Sequence, residues 1–366
     1  MRWTLWIVLA AACGRVHFDP IGDDGDDAGT GDGLFLGDFA VSTPVRLNAT
    51  PGWFPALVWA DGVYGVAYAE FPDGDARAQL LRVDADGQVL STTTASAVTG
   101  NVHESAIMWT GSEYVVAWSA NGGIEAARLS AAGTKLSPDT RVSANGGFGC
   151  ENPHGIFDGS GIAFVYTATS PYGVRFAIAD PLLSVSADVQ VRSNGSLTEG
   201  GVAPRATEYG VATSELAGPA EFSRHTASGA PIGTPIMLAP SVDGSVAIAA
   251  TSTGYAVAWS TNDSMHVTTI DLSGAVEDRM IGTGHTPTLA WQGQRLGVAW
   301  TDSSAEQIVF AELEPSGAPA SAVVTVSAAG NNAQQPRVVS DGTGYAIAWA
   351  TGLGGNGIHF ARVTRM

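Results

Sequence analysis

The chain has 366 residues, 45% of them apolar and only 14% charged, with 17 basic against 35 acidic side chains. That composition supplies a core and excludes wholesale disorder. A net charge of −18 with a single lysine, Lys135, excludes the clustered basic surface that nucleic acids require.

The first predicted element is an export signal over residues 1–12. Arg2 is its basic start, residues 3–9 its apolar run, and Ala10, Ala11 and Ala12 its small-residue approach to a cleavage site. The run is about half of the roughly 20 residues that a membrane-spanning helix needs. Leu9-Ala10-Ala11-Ala12-Cys13 resembles the bacterial lipobox, with Ala10 standing where the usual pattern has Leu. The resemblance implies cleavage before Cys13 and acylation of that cysteine, so that a lipid, palmitate among its chains, holds the protein to a membrane. Residues 13–38 follow as a tether. Asp19, Asp23, Asp24, Asp26, Asp27, Asp32 and Asp38, interleaved with glycine, bury too little to order themselves. The run Asp23-Asp24-Gly25-Asp26-Asp27 lacks the closing Glu of a calcium loop.

From residue 39 to 366 one phrase recurs: Tyr64-Gly-Val-Ala-Tyr68, Tyr114-Val-Val-Ala-Trp118, Ile162-Ala-Phe-Val-Tyr166, Tyr209-Gly-Val-Ala-Thr213, Tyr255-Ala-Val-Ala-Trp259, Leu296-Gly-Val-Ala-Trp300 and Tyr345-Ala-Ile-Ala-Trp349. Taking the last residue of each as an index, successive copies lie 41 to 50 residues apart. Thirteen residues before the index stands Pro55, Ser105, Pro153, Val246, Pro287 or Pro336, with Pro204 assigned to a shortened fourth copy. Proline suits the first residue of a strand. Each unit then reads as strand, glycine turn, index strand, third strand and a weaker fourth strand.

Four strands per unit, repeated seven times, predict an all-β, seven-bladed β-propeller. The last unit ends after its third strand, and residues 43–47 match the missing fourth in character. The ring is therefore expected to be closed by the N-terminal strand, which removes exposed edges. The phrases are generically similar to the TolB-like and sialidase-like envelope propellers. Ser340-Asp341-Gly342-Thr343-Gly344 comes nearest to the sialidase Asp-box, but its Asp stands one residue early. The resemblance implies a fold and no sialidase chemistry.

Residues 14 and 15 before each index, and in the fourth copy the pair before Pro204, are expected to ring the channel mouth: Trp53-Phe54, His103-Glu104, Glu151-Asn152, Val202-Ala203, Gly244-Ser245, His285-Thr286 and Gln334-Gln335. From these, and from a long loop over residues 144–154, we take Trp53, Phe54, His103, Glu104, Glu151, Asn152, His154 and His285 as candidate binding residues. Trp118, Trp259, Trp300 and Trp349 share one repeat position and read as blade core, whereas Trp53 reads as a surface contact. The histidines lack metal-ligand spacing, and nothing near Cys150 marks it as a nucleophile. We therefore expect a non-enzymatic cell-envelope protein, at the outer membrane and monomeric, without metal or cofactor, whose partner is an envelope protein or a glycan. The alternative is a carbohydrate-active hydrolase or lyase using Glu104, Glu151 and His103.

Overall fold

The computed structural model describes residues 38–71, 76–97, 102–120, 122–143, 149–169, 172–193, 198–352 and 357–366. The expected signal, the expected lipidation site Cys13 and all of the expected tether except Asp38 lie outside the described residues. Seven antiparallel sheets follow one another along the chain, with no helix among the described residues. Their inner strands are Gly52–Ala60, Ser105–Trp109, Cys150–Phe157, Thr198–Arg205, Val246–Ala250, His285–Trp291 and Ala333–Ser340, in blades 1 to 7. Each inner strand packs beside that of the next blade, and the seventh packs against the first, so the blades form a closed propeller.

The repeated phrase is the second strand of every blade. Its residues are buried on both faces, because each blade is sandwiched between two neighbours. Small residues at alternate positions let the sheets approach, and the index aromatics fill the space between them. Trp118, Trp300 and Trp349 are at most 2% exposed, and Trp259 is also buried. The core is accordingly seven separate cores, one per blade interface. Between blades 7 and 1, Tyr64, Val66 and Leu81 meet Ala346, Ala348 and Phe360. Equivalent clusters fill the other six interfaces.

The last blade is completed from the other end of the chain. Phe39–Val41 and Val45–Arg46 both pair with the last strand, Gly357–Arg365, with Phe39 opposite Arg365 and Val45 opposite Phe360. Beyond the ladder, Leu47 N donates to Ile358 O at 2.8 Å, and Ile358 N donates to Asn48 Oδ1 at 2.6 Å. The closing strand thus begins at Phe39, four residues earlier than the sequence pattern marks it.

Three expectations need correction. The prolines of blades 1, 3, 6 and 7 lie inside the inner strands, at β-bulges where two residues oppose one, and not at strand starts. A bulge leaves one residue outside the ladder, which is what a residue without an N–H requires. The fourth copy is not shortened: Gly200 pairs with index residue Thr213, and Pro204 sits near the strand end opposite Tyr209. Its mouth positions are therefore Thr198 and Glu199, not Val202 and Ala203. Finally, Cys150, Glu151, Asn152 and His154 belong to an inner strand and not to a loop; residues 144–148 lie outside the described residues.

Candidate functional site

The position 14 residues before the index lines one central cavity of about 310 Å³ in every blade: Phe54, Glu104, Asn152 and Glu199 on blades 1 to 4, then Ser245, Thr286 and Gln335. The backbone is bent to present them. Phe54, Asn152, Thr286 and Gln335, each preceding a bulge proline, have φ of 52°, 50°, 52° and 57°. Left-handed backbone costs on the order of 1 kcal/mol for a non-glycine residue, and more for a β-branched one. The four strained residues are the bulge residues of four blades, and all four face the same cavity.

Hydrogen bonds within and between blades fix the mouth. Phe54 N donates to Gln335 Oε1 at 3.1 Å across the ring closure, and Ser105 Oγ donates to Phe54 O at 3.1 Å. Glu104 accepts from Ser119 Oγ at 3.0 Å and from Asn152 N at 3.4 Å. Deeper in, Val338 N donates to Thr288 Oγ1 at 3.3 Å, joining blades 7 and 6.

Two residues further along the inner strands comes a second layer. Here Gly201 and Ala247 leave room, Thr288 offers a hydroxyl, and His154 and Arg337 bring an imidazole and a guanidinium to the same cavity. Burial, reinforced by the positive charge of Arg337, holds the His154 imidazole down to about 3, so it is neutral. Burial pushes Glu199 up, against a hydrogen bond from Ser245 and the charge of Arg337, and the Glu104 carboxylate adds to the rise. Burial likewise pulls the Arg337 guanidinium down, with Glu199 opposing. Arg337 Nη1 donates to the neighbouring Pro336 O at 3.0 Å, and among the described residues Arg337 belongs to no ion pair.

Four of the eight candidates therefore come together: Phe54, Glu104, Asn152 and His154. The other four do not line the cavity. Trp53, Glu151 and His285 are one residue earlier and pair with Ala69, Thr167 and Thr301 of the second strands, and His103 is exposed. Trp53 stacks on Phe54 at 6.0 Å between centroids and 29° between planes, which braces the one aromatic ring at the mouth. Cys150 is buried, and burial pushes its thiol up.

Glu199 and Arg337 are absent from the sequence-derived set. Glu199 is hidden by the misassigned proline of the fourth copy. Arg337 does carry a sequence signal: twelve residues before the index the other blades have Ala56, Ala106, His154, Gly201, Ala247 and Thr288, so a long cation in that column is anomalous. Among the described residues no three His, Cys, Asp or Glu side chains are grouped to hold a metal ion.

No protein-family model and no curated protein matches the chain. Among solved structures it is similar to Trypanosoma rangeli sialidase, with a TM-score of 0.52 and 10% identity over 86% of this chain and 55% of that one. It is also similar to the structure titled Dos1 propeller, with a TM-score of 0.56 and 10% identity over 90% of this chain and 95% of that one. The chain spans little more than half the length of the sialidase. At this identity the likeness is one of fold.

Proposed function

We propose that this chain is a non-enzymatic binding protein of the bacterial cell envelope, held by an acylated Cys13, whose propeller takes a small polar ligand or a glycan end into the channel mouth. The observation that carries the reading is the convergence of one residue from each of the seven blades on a single cavity, four of them in left-handed backbone. The lining offers amides, hydroxyls, two carboxylates and one guanidinium around a single aromatic ring, the mixture that orients a polar ligand.

The test is a thermal-shift screen of the secreted chain against sugars, amino acids and polyols, run beside Ser245→Trp, which fills the mouth. A ligand that stabilises the parent and not the variant supports the reading. Stabilisation that survives the plug, or no stabilisation by any probe, overturns it. The anchor has its own test: Cys13→Ser should abolish fatty-acid labelling and release the protein from the detergent phase, and label that persists would rule out acylation at Cys13.

One observation favours a hydrolase as the second reading. Glu104 and Glu199 line the same cavity, and burial pushes Glu199 up, the direction a general acid requires. Under that reading Glu199→Gln abolishes turnover of aryl glycosides; under the first there is no turnover to lose.

A further inference from the structure

The channel brings together opposite charges that, among the described residues, form no ion pair with one another. Arg337 enters from blade 7, Glu104 from blade 2 and Glu199 from blade 4, and all three line the same cavity. Of the five N–H donors that a guanidinium carries, the one hydrogen bond described from Arg337 goes to a backbone carbonyl at 3.0 Å. Glu104 already accepts two hydrogen bonds within its own wall, and Glu199 accepts one from Ser245.

Consider what each class of ligand meets. A simple anion finds the Arg337 fork but also two carboxylates, inside a protein of net charge −18. A simple cation finds the carboxylates but sits beside a guanidinium whose donors it leaves unmet. A neutral sugar satisfies hydroxyls and amides and uses neither charge. A ligand with separated opposite charges engages both walls, its carboxylate in the planar fork of Arg337 and its ammonium against Glu104 or Glu199. A cavity of about 310 Å³ has room for a free amino acid.

We infer that the channel is a zwitterion site, taking a free α-amino acid with its carboxylate on Arg337 and its ammonium toward Glu104 and Glu199. The amides of Asn152 and Gln335 and the hydroxyls of Thr286 and Thr288 then face the side chain, which selects a polar one. This inference rests on the channel mouth being a binding site and adds the charge pattern of what binds there.

The experiment is a titration of the full secreted chain with the common L-amino acids. Each is compared with its N-acetyl derivative, which keeps only the anion, with its carboxamide, which keeps only the cation, and with neutral hexoses. At least one amino acid should bind, and blocking either charge should weaken it by at least about tenfold. Arg337→Gln should lose about tenfold for the amino acid while binding its carboxamide as the parent does. Arg337→Lys, which keeps the charge without the fork, serves if the glutamine variant does not fold. An amino acid bound equally after blocking or by Arg337→Gln, or no amino acid bound at all, overturns the inference. Binding of hexoses alone does so while leaving the channel a ligand site; binding of no polar probe removes both.

Discussion

Gly65 on blade 1 leaves the space into which the Tyr114 ring of blade 2 packs: a Cβ built on Gly65 would lie 2.7 Å from Tyr114 Cε1 and 2.9 Å from Ile107 Cδ1. The same relationship joins Gly210 to Tyr255 and Gly297 to Tyr345 across two other interfaces. The glycine of one copy of the repeat is therefore explained by the tyrosine of the next copy. Gly65 does not have left-handed backbone, so its role is space.

Gly65→Ala should destabilise the fold by about 1–3 kcal/mol, the usual effect of forcing a methyl group into a filled core. Tyr114→Leu should recover part of that loss when combined with it. Denaturant unfolding of both single variants and the double measures the coupling. Additive losses would show that the two residues do not share this space.

The tyrosines also reach polar partners on the preceding blade. The Tyr345 hydroxyl donates to Glu312 Oε1 at 3.0 Å, and the Glu312 side chain is wholly buried and also paired with Arg365. Tyr255 donates to Glu208 at 3.1 Å, but that carboxylate is 18% exposed. Tyr345→Phe should therefore cost about 1.5–3 kcal/mol, as for a buried hydrogen bond to a charged group. Tyr255→Phe should cost less, about 0.5–1.5 kcal/mol, because water can replace the lost donor. Equal losses in thermal or denaturant unfolding would remove burial as the cause.

The blade pattern was legible in the sequence because every blade interface repeats the same packing problem, and Tyr–x–x–Ala–Trp is its recurring solution. Phe54, Glu104 and Asn152 were legible as mouth residues for the same reason, since they occupy one column of the repeat. What the sequence concealed was register. A bulge puts one extra residue opposite the partner strand, a shift the linear sequence does not display, so Pro55 and Pro153 read as strand starts. In the fourth copy, which has no bulge, Pro204 drew the mouth to Val202 and hid Glu199. Arg337 was concealed differently: its role follows from facing Glu199 and His154 across a ring, a proximity between residues more than 130 positions apart in the chain.

Closure of the ring sets a third prediction. Phe39 packs edge-on against Phe310 with centroids 5.4 Å apart, and Leu47 joins the core between blades 7 and 1. Deleting residues 39–48 removes both side chains and the ladder to Gly357–Arg365, and burial of two large apolar side chains alone is worth about 3–6 kcal/mol. The variant should melt well below the parent. Deleting residues 14–33, whose glycine- and aspartate-rich composition offers little apolar surface to bury, should leave the melting temperature nearly unchanged. Equal melting of the two truncations would refute the role of the closing strand.

The last prediction concerns acid. The folded protein holds His154 down to about 3, against an ordinary value of 6.5. The unfolded chain therefore binds a proton at this residue before the folded one does, and stability falls as pH drops. The contribution is fully present above 6.5 and is lost progressively as pH descends from there toward 3. Between pH 7 and pH 5 it amounts to about 2 kcal/mol for a single group of this kind. Asp341, held well below the usual carboxylate range by hydrogen bonds from Tyr64, Thr343 and Arg362 despite burial, loses its contribution only below about 4, outside this window. His225 and His359 are also pulled down by burial, so their contributions fall with pH in the same direction and the parent profile alone does not isolate His154. The difference between parent and His154→Gln does. Denaturant unfolding at pH 7 and pH 5 should show the parent losing about 2 kcal/mol more than the variant over that interval. Parallel losses would mean that the channel accommodates a charged imidazole beside Arg337, and the electrostatic reading of that wall would have to be reversed.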